Sequence, residues 1–226
     1  MSTRRVGWSD QPFGSTTRAF DEWRLVDGDL RTFLSLTTKW MDERFASLWR
    51  EIGERPGDPE GPDHYDVFYD EVGIDSSDYH WILRAAVVRD AVSAFEIYLE
   101  KASEEVLRRA RLQWKLRGGR SPNYNDIVEF YRSQLGVDVG TTEVRRIRQL
   151  RHILTHQRGE LRTKEAREQF GSSEDTFPDY RVELLPPAVA QVLDDLGGVV
   201  RQADQAAWQY IYGSARLDMK VAEGGA

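Results

Sequence analysis

The chain has no cysteine among its 226 residues. That absence excludes disulfides, cysteine-ligated zinc and thiol nucleophiles together. No apolar run reaches about 18 residues without charges, so no membrane-spanning helix and no membrane partner is expected. The opening MSTRRVGWSDQPFG has two arginines but no hydrophobic core of a secretory signal, which predicts a cytoplasmic protein. Positive charge is in deficit: 31 Lys and Arg stand against 38 Asp and Glu, a net charge of −7. That balance argues against a general, high-affinity coat for nucleic acid, and any RNA contact is expected to be local, at a basic helix, and brief. Repeats and strand pairs are missing too, and only Tyr180 to Leu184 reads as a short extended piece. What is present is 40% hydrophobic residues with seven tryptophans, enough core for a single globular domain.

The apolar spacing is helical almost throughout. Residues 1–16 lack periodicity and are expected to form a flexible N-terminal segment. Residues 17–213 are expected to form one helical domain, and 214–226 a tail. From about Leu30 to Ile52, Leu30, Phe33, Leu34, Thr37, Trp40, Met41, Phe45, Leu48 and Trp49 mark one amphipathic helix. The stretch 54–78, rich in Pro, Gly and acid, is expected to be a solvated loop; it lacks the alternating oxygen ligands and central glycine of an EF-hand. Trp81 to about Arg109 is apolar over most of its circumference, as in the centre of a bundle. Arg89, Ser93, Glu96 and Glu100 make one polar seam along it. Lys115 to Arg120 reads as a turn, Tyr124 to Leu135 as a shorter helix, and Lys164 to Phe170 as another. Pro186 opens a last helix to Tyr212, proline being tolerated in a first turn. The fold class is all-α, a bundle of four to five principal helices.

The most informative stretch is Arg151-His-Ile-Leu-Thr-His156, which holds half of the four histidines. It ends a helix that Thr141 or Thr142 can cap, with Glu143 in its first turn and Gly159 closing it. Val144, Ile147, Leu150 and Leu154 form its core stripe; Arg145, Arg148 and His152 fall on a second face. Arginine offers a fixed fork for phosphate and histidine moves protons near neutral pH. Together they are the minimum needed to cleave a phosphodiester without metal. Arg151 and His156 lie roughly 140° apart around an ideal helix, so they can converge only on a groove at its end. The bland alternatives are a histidine stabilising the helix C-terminus and an arginine in an ordinary ion pair. His152 and His156 also have metal-ligand spacing, but a zinc site needs further ligands and there is no HExxH glutamate, so neither metal nor cofactor is expected.

Arg151, His152 and His156, at the end of an arginine-rich helix closed by glycine, resemble the motif of the HEPN superfamily. The helix VVRDAVSAFEIYLEKA, with Glu96, is similar to a second helix of that family. The resemblance spans roughly residues 25–212, and only these two segments are specific. It implies a HEPN-like helical bundle and a metal-independent endoribonuclease of toxin or phage-defence type. Arg151 and His156 would be catalytic, with Glu96 and His152 supporting. Arg145, Arg148 and Arg158 would contact RNA, two chains forming a composite homodimeric site. Glu96 would orient an arginine, Arg151 or Arg148 by that analogy or Arg89 in its own seam. An antitoxin or defence-system protein is a further implied partner. One branch of the family carries a tyrosine two residues after the motif histidine; here that position is Arg158, which lowers the expectation of that branch's nucleotidyltransferase partner. Two alternatives stay open: a non-catalytic HEPN-like domain that dimerises or binds a partner, and an unrelated helical scaffold with a chance motif.

Overall fold

The computed structural model describes residues 16–55, 61–114, 120–171 and 181–223. They form helices α1 (Arg18–Gly53), α2 (His64–Val72), α3 (Ser76–Arg109), α4 (Tyr124–Phe130), α5 (Thr142–His156), α6 (Lys164–Phe170) and α7 (Pro186–Glu223). A π-helical turn, Tyr131–Leu135, continues α4. Among the described residues there is no strand, only an isolated antiparallel bridge between Glu160 and Arg181, beside the expected extended piece. The fold is all-α. Most of the expected 1–16 segment and of the Lys115–Arg120 turn lies outside the described residues.

The chain divides into two compact units, and α1, α3, α5 and α7 each give one segment to each. The first unit comprises residues up to Asp27, Ala91–Gln149 and the chain from Val192. Its interior is built from Phe20, Trp23, Phe95, Tyr98, Leu99, Tyr131, Val144 and Leu196. Here α1 begins twelve residues before the expected Leu30, because distant side chains cap it. The Thr17 hydroxyl accepts from the Phe20 amide at 3.1 Å. The Glu105 carboxylate accepts from the amides of Arg18 and Ala19 at 3.2 and 2.9 Å. Asp204 of α7 accepts from the Thr17 amide at 3.2 Å and from its hydroxyl. The orphan donors of the first turn are thus satisfied from α3 and α7.

The second unit comprises Gly28–Asp90 and Leu150–Gln191. Phe45, Leu48 and Ile52 of α1 pack there with Phe68. Phe68 belongs to α2, a helix inside the stretch expected to be a loop, so that expectation is corrected. Asp63 caps α2 by accepting from the Asp66 amide, and Gly73 ends it at φ 74. The nine-residue helix exists because Phe68 completes a cluster that begins on α1; isolated, it would be far too short to persist. The face expected to carry α1's core is also corrected in part: Phe33, Trp40 and Trp49 are exposed at 51%, 68% and 49%. At the other end of the chain, α7 runs past the expected stop at Tyr212.

Candidate functional site

Helix α5 starts at Thr141, whose hydroxyl accepts from the Val144 amide at 3.2 Å. Val144, Ile147, Leu150, Ile153 and Leu154 are all buried, so the expected stripe faces a core and fixes the helix's rotation. With that stripe inward, Arg145, His152 and His156 are exposed, while Arg148 and Arg151 are half-buried.

In the first unit, Glu96 of α3 accepts from Nε of Arg148 at 2.7 Å, one of the pairings the sequence suggested. The Arg148 guanidinium also lies 3.4 Å from the centre of the Tyr124 ring. Its plane is therefore held on one side by an aromatic face and at Nε by a carboxylate, a setting in which arginine cannot be exchanged for lysine. Tyr124 was not singled out from the sequence, and no spacing rule connects it to Arg148. Its hydroxyl donates to the Val139 carbonyl at 3.3 Å, and burial pushes its pKa to about 12, so it stays a neutral platform. Arg148 is thus engaged inside the protein. Among the described residues Arg145 hydrogen-bonds the Thr142 hydroxyl alone, at 3.3 Å, and its side chain is exposed.

In the second unit, the rings of His152 and His156 lie with centres 4.8 Å apart and planes tilted by 46°. The i, i+4 spacing places them on one side of the helix. Arg151 is not free of partners, and neither is Glu96. Among the described residues no group of three or more His, Asp or Glu stands ready to hold a metal ion.

The turn after His156 is held firmly. Arg158 and Gly159 both have left-handed backbones, φ 53 and 84, and the Gly159 amide donates back to the Ile153 carbonyl at 3.1 Å. This is the closure by which helices end on glycine. A second constraint acts on Gly159, since a Cβ there would run into the indole of Trp81. Trp81 is fixed in turn: its Nε1 donates to the Val182 carbonyl at 2.9 Å, and the Arg181 guanidinium stacks 3.4 Å from its ring centre. The Val182 amide donates to the Gly159 carbonyl at 2.8 Å, and Arg181 pairs with Asp78 at 2.8 Å. The glycine was legible in the sequence as a helix stop. Trp81, 78 residues earlier, was not, because its role exists only where the chain returns.

Chemically, the end of α5 offers two exposed histidines ahead of the Gly159 turn, the half-buried Arg151, and the exposed Arg158. Such a set can transfer protons and hold an anion without a bound metal. Among the described residues no helix is long and apolar enough to cross a membrane. No family model matches this chain, and it has no significant match among curated proteins or solved structures.

Proposed function

We propose that this chain is a HEPN-like, metal-independent endoribonuclease acting at the end of α5. The observation that carries the reading is the exposed pair His152–His156, with ring centres 4.8 Å apart at the end of α5, just before the Gly159 turn packed on Trp81 and following Arg151 in sequence. In RNA the 2′-oxygen attacks the adjacent phosphorus while the bond from phosphorus to the 5′-oxygen breaks. His156 takes the 2′-hydroxyl proton, and the departing 5′-oxygen receives a proton in exchange. Products are a 2′,3′-cyclic phosphate and a 5′-hydroxyl. Arg151 holds the phosphate and offsets charge on its equatorial oxygens. DNA has no 2′-hydroxyl and is not cut.

The geometry also supports a homodimer. In-line displacement sets the entering and leaving oxygens on opposite sides of phosphorus. Two imidazoles one turn apart on one helix stand on the same side, so in this reading a second copy supplies the group on the other. A toxin or phage-defence setting, with an antitoxin or defence protein as partner, belongs to the same reading. The test is incubation of the purified chain with total RNA in excess chelator. Cleavage is expected for the parent and a loss of about 10²- to 10⁴-fold for His156→Ala. Full cleavage by both His156→Ala and Arg151→Ala, or activity restored only by added zinc, would refute the reading.

A second reading, a non-catalytic HEPN-like domain that dimerises or binds a protein partner, is favoured by one observation. Phe33, Leu36 and Trp40 lie exposed on one side of α1, at 51%, 62% and 68%. It predicts that Trp40→Glu abolishes association seen by light scattering, with no RNA cleavage by the parent.

A further inference from the structure

Positive charge is not spread evenly over this acidic chain. From Val106 to Asn125 it carries Arg108, Arg109, Arg111, Lys115, Arg117 and Arg120 and no acidic residue. Lys115 and Arg117 lie outside the described residues, and Arg120 is held by Asp126 at 2.6 Å. Arg108, Arg109 and Arg111 stand exposed at the end of α3. They differ from Arg18, Arg44, Arg132 and Arg181 and resemble Arg50, Arg145 and Arg158, but among the described residues only here do three such cations fall within four residues of chain. Arg18, Arg44, Arg132 and Arg181 each have a carboxylate within 3.6 Å. Among the described residues no carboxylate pairs with Arg108, Arg109 or Arg111.

A helix C-terminus favours cations in its last turn, which accounts for the placement of Arg108 and Arg109. It does not account for Arg111, which lies beyond the helix with φ 56. The Leu112 amide closes the helix there onto the Leu107 carbonyl at 2.9 Å. Glycine takes that left-handed position freely, whereas arginine takes it at a cost. The position therefore retains a charge where the backbone alone would favour glycine.

Aromatic rings accompany these cations. The Arg109 guanidinium lies 6.0 Å from the ring centre of Tyr212. Tyr212 is 44% exposed, and the Trp208 ring lies beside it, tilted by 42° with centres 5.3 Å apart. All of these residues belong to the first unit, and none has a role in the proposed cleavage chemistry.

We propose that the end of α3, together with Tyr212 of α7, is a binding surface for single-stranded RNA. The guanidinium groups, which have no carboxylate partner among the described residues, take backbone phosphates, and the exposed part of the Tyr212 ring receives a base. Cations alone would suit any polyanion. An exposed ring among them selects a single strand, whose bases are free to stack, over duplexes and acidic proteins. Binding of this kind tolerates sequence and is driven by counterion release. The proposal shares with the proposed function the choice of RNA as ligand, and adds a holding surface to the cutting one.

The test uses the full chain carrying His156→Ala and a fluorescein-labelled oligouridylate with 2′-O-methyl riboses, which cannot be cut. Anisotropy is read over a salt series. The parent is expected to bind, more weakly as salt rises. The combined change Arg108→Gln, Arg109→Gln and Arg111→Gln should flatten the log affinity–log salt slope by about 2, at roughly 0.7 per lost phosphate contact. Tyr212→Ala should weaken binding by about 5- to 100-fold with the slope unchanged, and Tyr212→Phe should restore it. Unchanged binding by the triple variant, absence of binding by the parent at low salt, or preference for duplex RNA or phosphatidylserine vesicles overturns the proposal. Cleavage of unmodified RNA by the unaltered chain is scored separately. Binding without cleavage refutes the nuclease reading alone; cleavage with a triple variant that binds normally refutes this surface alone.

Discussion

Asp204 shows how much one buried side chain can set. It is fully buried and accepts two hydrogen bonds from Thr17 at Oδ1, while neither its Oδ2 nor the nearby Tyr98 hydroxyl has a well-aligned hydrogen-bond partner among the described residues. Burial raises its pKa to about 6 from the ordinary 3.8, against the pull of its bonds to Thr17. A carboxyl whose folded pKa is raised favours the native state most when protonated, so its contribution declines as pH climbs from about 4 to 6 and stays low above that. Asp204→Asn keeps the acceptor for Thr17 and replaces the bare oxygen with a donor. That variant should exceed the parent in stability above pH 6, by at most about 3 kcal/mol, with the gain shrinking towards pH 4. Thermal melts of both proteins across that range check it; a constant difference would exclude Asp204 as the titrating group. At Glu96 the expectation concerns activity. Glu96 accepts from Arg148 at 2.7 Å and takes no part in the proposed proton transfers, so Glu96→Gln should lower RNA cleavage at most moderately and leave the pH–rate profile in place. Loss of the acidic limb would instead identify Glu96 as the general base.

At the scale of the element, α5 is defined by its two ends. The hydroxyl of Thr141 begins it, and the Arg158–Gly159 turn, clamped by Trp81 and Arg181, ends it. Gly159→Ala has to overcome both an unfavourable φ of 84 and the Trp81 ring. It should cost more than about 1 kcal/mol of stability, well beyond an ordinary glycine-to-alanine change. Urea denaturation measures this, and the paired change Trp81→Ala should relieve the steric part only. If the single variant is as stable as the parent, the turn does not anchor His156 as described. Much of this element was legible beforehand: its start, its apolar stripe and its glycine stop are local signals. Helix α2 was not, because its acidic composition resembles a loop and its reason for folding is Phe68 meeting Phe45 and Leu48. The early start of α1 was hidden in the same way, since Glu105 and Asp204 cap it from far along the chain, while Gly28 interrupts the local pattern.

For the whole molecule, the decisive property is whether one chain holds a complete site. If two copies share it, His156→Ala and Arg151→Ala chains should regain measurable cleavage when mixed, although each is inactive alone. The mixture remaining as silent as its components, together with a monomeric mass by light scattering at micromolar concentration, would rule out the shared site. The two-unit organisation was not visible in the sequence. The units divide within α1, α3, α5 and α7, so no linker or change of composition marks a boundary.

The sequence by itself determined the all-α class, the spans of α4 with its π turn and of α5 and α6, and the grouping of Arg151, His152 and His156 at one helix end. Those features follow from apolar periodicity, capping residues and glycine, all of which act within a few residues of chain. Only the tertiary structure decided that Glu96 meets Arg148, that Tyr124 lies under that guanidinium, that Trp81 clamps Gly159, and that Phe33 and Trp40 remain exposed. These depend on which surfaces meet when the chain returns on itself. Helical periodicity gives the faces a helix has, and a neighbour in space chooses which of them is covered.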